Sequence, residues 1–178
     1  MAESFEFREP SQVVPGVIGV PGARTFFLQA TDGGVVVSFK VEKQQVAALC
    51  EYLDGMLGDL PQVRPDERVP SERAETPLGF AWVVGRLAVA YEEDDDRLVI
   101  VAEELVEIDD DIDLDDLSDP DVFASLGLDP ASARFHLTRA QVAAFIAEGE
   151  ALVTAGRPTC RLCLRPIDPV GHSCPGLN

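Results

Sequence analysis

Cys160 and Cys163 form a C-x2-C pair, and His172 and Cys174 follow eight residues later as an H-x-C pair. Three thiolates and one imidazole make a closed tetrahedral donor set for Zn2+, the usual make-up of a structural site. The C-x2-C turn aims two sulfurs at one point, and Pro166, Pro169 and Gly171 suit the tight return that brings the second pair across. Fewer than about twenty residues cannot bury a sufficient core, so such a tail folds with its metal. Four protein ligands leave no position for a substrate water, which makes the expected role structural. A redox C-x-x-C pair and a simple cluster of free thiols are the competing readings. The spacing is not the C-x2-C-x4-H-x4-C of nucleic-acid-binding knuckles.

Other residues with chemical potential carry weaker signals. Cys50 falls on an apolar helical stripe and reads as a core thiol. His136 stands between Phe135 and Leu137 in a short strand, so it points to the face opposite theirs. Arg24 is a candidate anion-binding residue, or else an ordinary arginine on a hairpin surface. The run around Asp109, Asp110, Asp111, Asp113, Asp115 and Asp116 has the acidic density of a calcium loop without its spacing. From Asp111, the sixth position is Asp116 and the twelfth is Val122, where such a loop needs glycine and glutamate. The pattern fails, and the run reads as a partner-binding acidic segment interleaved with Ile112, Leu114 and Leu117. No glycine-rich nucleotide loop, nucleophile elbow or H-E-x-x-H sequence occurs.

The 178 residues include 14 basic and 32 acidic ones, a net charge of −18. A nucleic-acid binder needs a basic footprint, and so does an anchor on anionic lipid. Half of the acidic residues fall within 92–121, where Arg97 is the single basic residue; the rest of the chain is close to balance. The exclusion of nucleic acid therefore applies firmly to that acidic segment. No stretch is apolar for long enough to span a membrane, and the N-terminus does not read as a secretory signal. The expected location is cytoplasmic, where cysteines are thiols or metal ligands before they are disulfides.

These residues need elements to position them. Strands are expected over Arg24–Ala30, Val35–Val41, Phe80–Tyr91, Arg97–Val106 and Arg134–Leu137, with a hairpin turn at Thr31-Asp32-Gly33-Gly34. From Glu42 the period becomes helical. Val46, Leu49, Cys50, Leu53, Met56 and Leu57 form one stripe ending near Leu60-Pro61. Thr138 caps a second helix, whose stripe is Val142, Phe145, Ile146, Leu152 and Val153 and whose stop is Gly156. Residues 61–77, rich in proline, read as a surface loop or linker.

The two helices repeat one another. At an offset of 96, Phe39 matches Phe135, Gln45 matches Gln141, and Val46-Ala47-Ala48 matches Val142-Ala143-Ala144. The expected fold class is α+β, with a mostly antiparallel sheet built from two strand–strand–helix repeats and both helices on one face. The chain divides into residues 1–156, containing the duplication (about 17–60 and 78–155) and the acidic segment 92–121, and a zinc-binding tail, 157–178. In the repeat, Cys50 matches Ile146, which supports a core position, and His136 matches Lys40, an ordinary solvent-facing residue.

Two segments resemble a known family. Gly19-Val20-Pro21-Gly22-Ala23-Arg24-Thr25-Phe26-Phe27-Leu28-Gln29-Ala30 is similar to its G-x-P-G-x-R-x-F-x-L-Q-A signature. The ending from Cys160 to Asn178 is similar to its C-x2-C-x2-P-x-D-P-x-G-H-x-C-P-x2-N motif. The family is a largely uncharacterised bacterial one of unknown function, and this chain resembles its ParJ-like group, named for a member tied to ParA, the partitioning ATPase of chromosome segregation. The resemblance implies zinc ligation by Cys160, Cys163, His172 and Cys174, and it carries over no catalytic residue. The functional expectation is a non-enzymatic adaptor or regulator that binds a protein partner, a ParA-type ATPase being the one the resemblance suggests. The alternative is an enzyme or enzyme subunit with an anion pocket on the open sheet face near Arg24.

Overall fold

The computed structural model describes residues 2–64, 67–70, 73–106, 130–156, 160–163, 167 and 174. Seven strands and two helices follow one another: β1 (Phe5–Phe7), β2 (Gln12–Ile18), β3 (Thr25–Asp32), β4 (Val35–Val41), α1 (Lys43–Gly58), β5 (Val84–Glu92), β6 (Arg97–Glu104), β7 (Ser132–Leu137) and α2 (Arg139–Thr154). The class is α+β, as the periodicities predict. The strands are divided between two sheets, one ordered β2-β3-β4 and the other β1-β7-β6-β5.

Local chemistry explains the elements. Asp32 pairs with Val35 across Gly33 and Gly34, whose φ angles of 56° and 83° are those a two-residue hairpin turn demands. Pro21 and Gly22 form a turn closed by the Ala23 N–H donating to Val20 O at 2.9 Å, with Gly22 at φ 99°. Each helix opens with a capping box: the Glu42 N–H donates to Gln45 Oε1 at 2.8 Å, and the Thr138 N–H donates to Gln141 Oε1 at 2.9 Å. Pro15 lies in β2, an edge strand, where a residue without a backbone N–H is tolerated.

The repeat at offset 96 is visible as structure. Both helices have 16 residues, and their first and last positions coincide at that offset. The strand pairs correspond as well: Phe26 faces Val41 in one half, and Leu98 faces Leu137 in the other. The halves exchange their leading segments. β1, ahead of the first half, runs parallel to β7 of the second. Residues 81–83, ahead of the second half, run parallel along β4 of the first. There the Lys40 N–H donates to Trp82 O at 3.0 Å and the Ala81 N–H donates to Ser38 O at 2.8 Å. The capping glutamines make the same exchange: Gln45 Nε2 donates to Val84 O at 3.2 Å, and Gln141 Nε2 donates to Pro10 O at 2.8 Å.

The core forms where the halves meet. Phe39 and Phe135, equivalent in the repeat, touch edge to face with centroids 5.6 Å apart. Phe7 stacks on Phe135, and Trp82 packs on Phe39 at 4.6 Å. Val46, Leu49, Cys50 and Leu53 of α1 and Val142, Phe145 and Ile146 of α2 are buried in the same cluster, as the two stripes predict. Part of the expected loop 61–77 is fixed in place. Gln29, buried in β3, donates to Glu75 O and accepts the Glu75 N–H at 2.7 Å, while Phe80 packs on Phe27. Ala74, Glu75 and Phe80 thus lie over the outer face of sheet β2-β3-β4. Among the described residues, no helix is long and apolar enough to cross a membrane.

Candidate metal centre

Beyond α2 the chain reaches Cys160, buried at 7% exposure, and a turn over residues 161–163. The sulfurs of Cys160, Cys163 and Cys174 lie within 4.8 Å of one another. Cys160 Sγ and Cys174 Sγ are 3.7 Å apart, and none of the four cysteines forms a disulfide. A disulfide would need about 2.05 Å. Two thiolates each about 2.3 Å from a tetrahedral Zn2+ lie roughly 3.8 Å apart. The spacing therefore fits two sulfurs sharing a metal ion and does not fit a covalent bond.

The local backbone prepares Cys160 for ligation. Backbone N–H groups of Cys163 and Leu162 point at its sulfur, and the Cys163 and Cys174 thiols add to them. Donors of this kind stabilise a thiolate, and they bring Cys160 down from an ordinary 9.0 to about 6. The thiolate is the form that binds metal. Three of the four ligands expected from the sequence are thus together, and His172 lies outside the described residues. So does the acidic segment holding Asp109, Asp110, Asp111, Asp113, Asp115 and Asp116.

The other candidates fall elsewhere. Cys50 is 3% exposed between the helices, where burial and the charge of Glu150 push its thiol up to about 11. That is the core position the repeat indicates. His136 is 8% exposed on the outer face of its sheet, with Nδ1 3.3 Å from Glu92 Oε2 and Nε2 3.3 Å from Glu6 Oε1. Only the doubly protonated ring can donate to both carboxylates. Arg24 borders a cavity of about 380 Å3 at the end of sheet β2-β3-β4, where α1 begins. Lys40 and Lys43 share that wall. Lys40 is therefore half-buried at a cavity rather than simply solvent-facing, a placement that depends on where α1 starts and that repeat pairing with His136 did not disclose.

No curated protein and no solved structure shows significant similarity to this chain. Residues 5–174 match a family described as a protein of unknown function, DUF3090. That match takes in both exchanged halves and the three clustered cysteines, and the chain belongs to this family.

Proposed function

We propose that this protein is a non-enzymatic adaptor whose tail is fixed by a structural Zn2+ ion and whose acidic segment binds a protein partner. Cys160, Cys163 and Cys174 hold the zinc with His172 as the fourth ligand. A closed set of three sulfurs and one nitrogen supplies folding energy to the tail and leaves no open position for chemistry. The observation that carries the adaptor reading is the concentration of charge. Residues 92–121 hold 16 of the 32 acidic residues, and the described part of that stretch presents Glu92, Glu93, Asp94 and Asp95 to solvent.

The partner class is a protein with a basic surface, and the family resemblance singles out a ParA-type ATPase. ATPases of that type bind DNA through basic surfaces, to which an acidic segment is complementary. Binding of a purified ParA-type ATPase to the full chain is expected at about 50 mM salt and to weaken strongly by about 300 mM, as screening of exposed charges requires. Conversion of the six aspartates between Asp109 and Asp116 to asparagine should abolish it. Equal binding by this variant, or no binding by the native chain at either salt, rejects the reading. Metal analysis should return one zinc per chain, lost on Cys163→Ser.

A further inference from the structure

The two halves each contain a cavity at the start of their helix, and the pair serves as an internal comparison. In the second half a cavity of about 360 Å3 is lined by Asp96, Arg97, Thr138 and Arg139. In the first, the cavity of about 380 Å3 is lined by Arg24, Thr25, Glu42 and Lys43, the positions equivalent to those four, together with Lys40. The equivalence follows from strand register and helix offset. Arg24 stands two residues before Phe26 as Asp96 stands two before Leu98, and Lys43 and Arg139 each open a helix.

The charges of the two cavities differ in one decisive way. In the second half the helix-opening cation is neutralised by the chain itself: Arg139 Nε and Nη2 donate to Asp96 Oδ2 at 3.1 and 2.9 Å, and Arg139 also donates to Pro61 O. His136 in that half has two carboxylates beside it. In the first half the place of the Asp96 carboxylate is taken by Arg24, a second cation, and the place of His136 by Lys40. Arg24, Lys40 and Lys43 form no ion pair among the described residues. Lys43 Nζ stands 3.7 Å from where a Cβ on Gly156, another residue of the cavity wall, would sit. The one carboxylate on the wall, Glu42, is the N-cap of α1 and is engaged by the backbone of that helix's first turn, which adds no further acidic residue.

Three unpaired cations gathered on one cavity are unexpected in a chain with a net charge of −18, where intramolecular partners abound. We propose that this cavity is a binding site for the phosphate group of a small molecule, which supplies the negative charge that Asp96 supplies in the other half. A dianionic phosphate suits three cations and the Thr25 hydroxyl better than a single carboxylate does. The proposed chemistry is binding, and it does not depend on the acidic segment or its partner.

Inorganic phosphate, pyrophosphate and acetate should be titrated into the full chain, with backbone and arginine Nε–H resonances recorded. Saturable binding is expected for phosphate and more tightly for pyrophosphate, with the largest shifts at Arg24 and Lys43, and acetate should bind at least about tenfold more weakly. Arg24→Asp places in the first half the arrangement with which the second half folds. It should leave Trp82 emission unchanged and lower pyrophosphate affinity by about a hundredfold or more. Lys40→Gln, on an outward-facing strand position, should lower it by about tenfold. Unchanged affinity in both variants, acetate binding as tight as phosphate binding, or a response matched by sodium chloride of equal ionic strength overturns the proposal.

Discussion

Cys50 and Cys160 show how one side-chain type is driven in opposite directions by its surroundings. Cys160 receives backbone N–H groups and is brought down to about 6, whereas Cys50 is pushed up to about 11, first by burial and then by Glu150. For Cys50 the folded state favours the thiol relative to the unfolded chain, whose value is near 9.0. The stability that this contributes is therefore fully present below about pH 9 and is lost as the pH rises through about 11. At pH 8 the folded, metal-free protein should react with an aromatic disulfide reagent at its tail thiols alone, and Cys50 should react only once guanidinium unfolds the chain. Peptide mapping of the modified cysteines reads this directly. Modification of Cys50 at the rate of an unfolded cysteine would remove it from the core.

At the scale of elements, the contact between α1 and α2 is set by a glycine. A Cβ on Gly149 would lie 2.4 Å from Cys50 Sγ, while its next neighbours, in Pro15 and Val46, would stand at an ordinary 3.6 Å. Alanine within a helix is worth about 1 kcal/mol over glycine. Overpacking a filled core costs about 1–3 kcal/mol. With a Cβ only 2.4 Å from the sulfur the clash is the larger effect, so Gly149→Ala should destabilise the protein by up to about 2 kcal/mol in denaturant melts. In a Cys50→Ala background the obstructing sulfur is gone, and the same change should become neutral or stabilising by up to about 1 kcal/mol. Additive effects of the two substitutions would contradict this packing. The helices themselves were legible from the sequence, because two apolar stripes and two cap residues recur at one spacing. β1 was not. A three-residue segment has no period to read, and its partner in β7 lies more than a hundred residues away along the chain. The cavity was legible only at Arg24. Lys40 and Lys43 come to it through the junction of β4 with α1, and each is unremarkable in its local sequence.

At the scale of the whole molecule, the exchange of leading segments makes each half incomplete alone. Without β1, β7 loses its parallel neighbour and Phe135 its stacking partner Phe7. Without residues 81–83, β4 loses the hydrogen bonds around Lys40, and Phe39 is uncovered where Trp82 packs. The arrangement is that of a strand-exchanged pair of similar units joined by residues 61–77, a segment whose described part carries no core residue. Buried apolar surface supplies the main drive for folding, and a small unit that lacks part of its core is marginal. Residues 1–68 and 69–178, made separately, should therefore each show little ordered structure by circular dichroism. Mixed, they should recover the spectrum of the intact chain and a blue-shifted emission from Trp82, whose indole N–H donates to Glu3 O across the break. Recovery should be bimolecular, its rate rising with fragment concentration, and weakened by Phe7→Ala in the first fragment, which removes the ring stacked on Phe135. Independent folding of either fragment would mean that the exchanged segments decorate two complete domains. Phe7 packs against both Phe39 and Phe135 and Trp82 packs against Phe39, where the halves meet, which argues that the exchanged segments are what makes the two halves one.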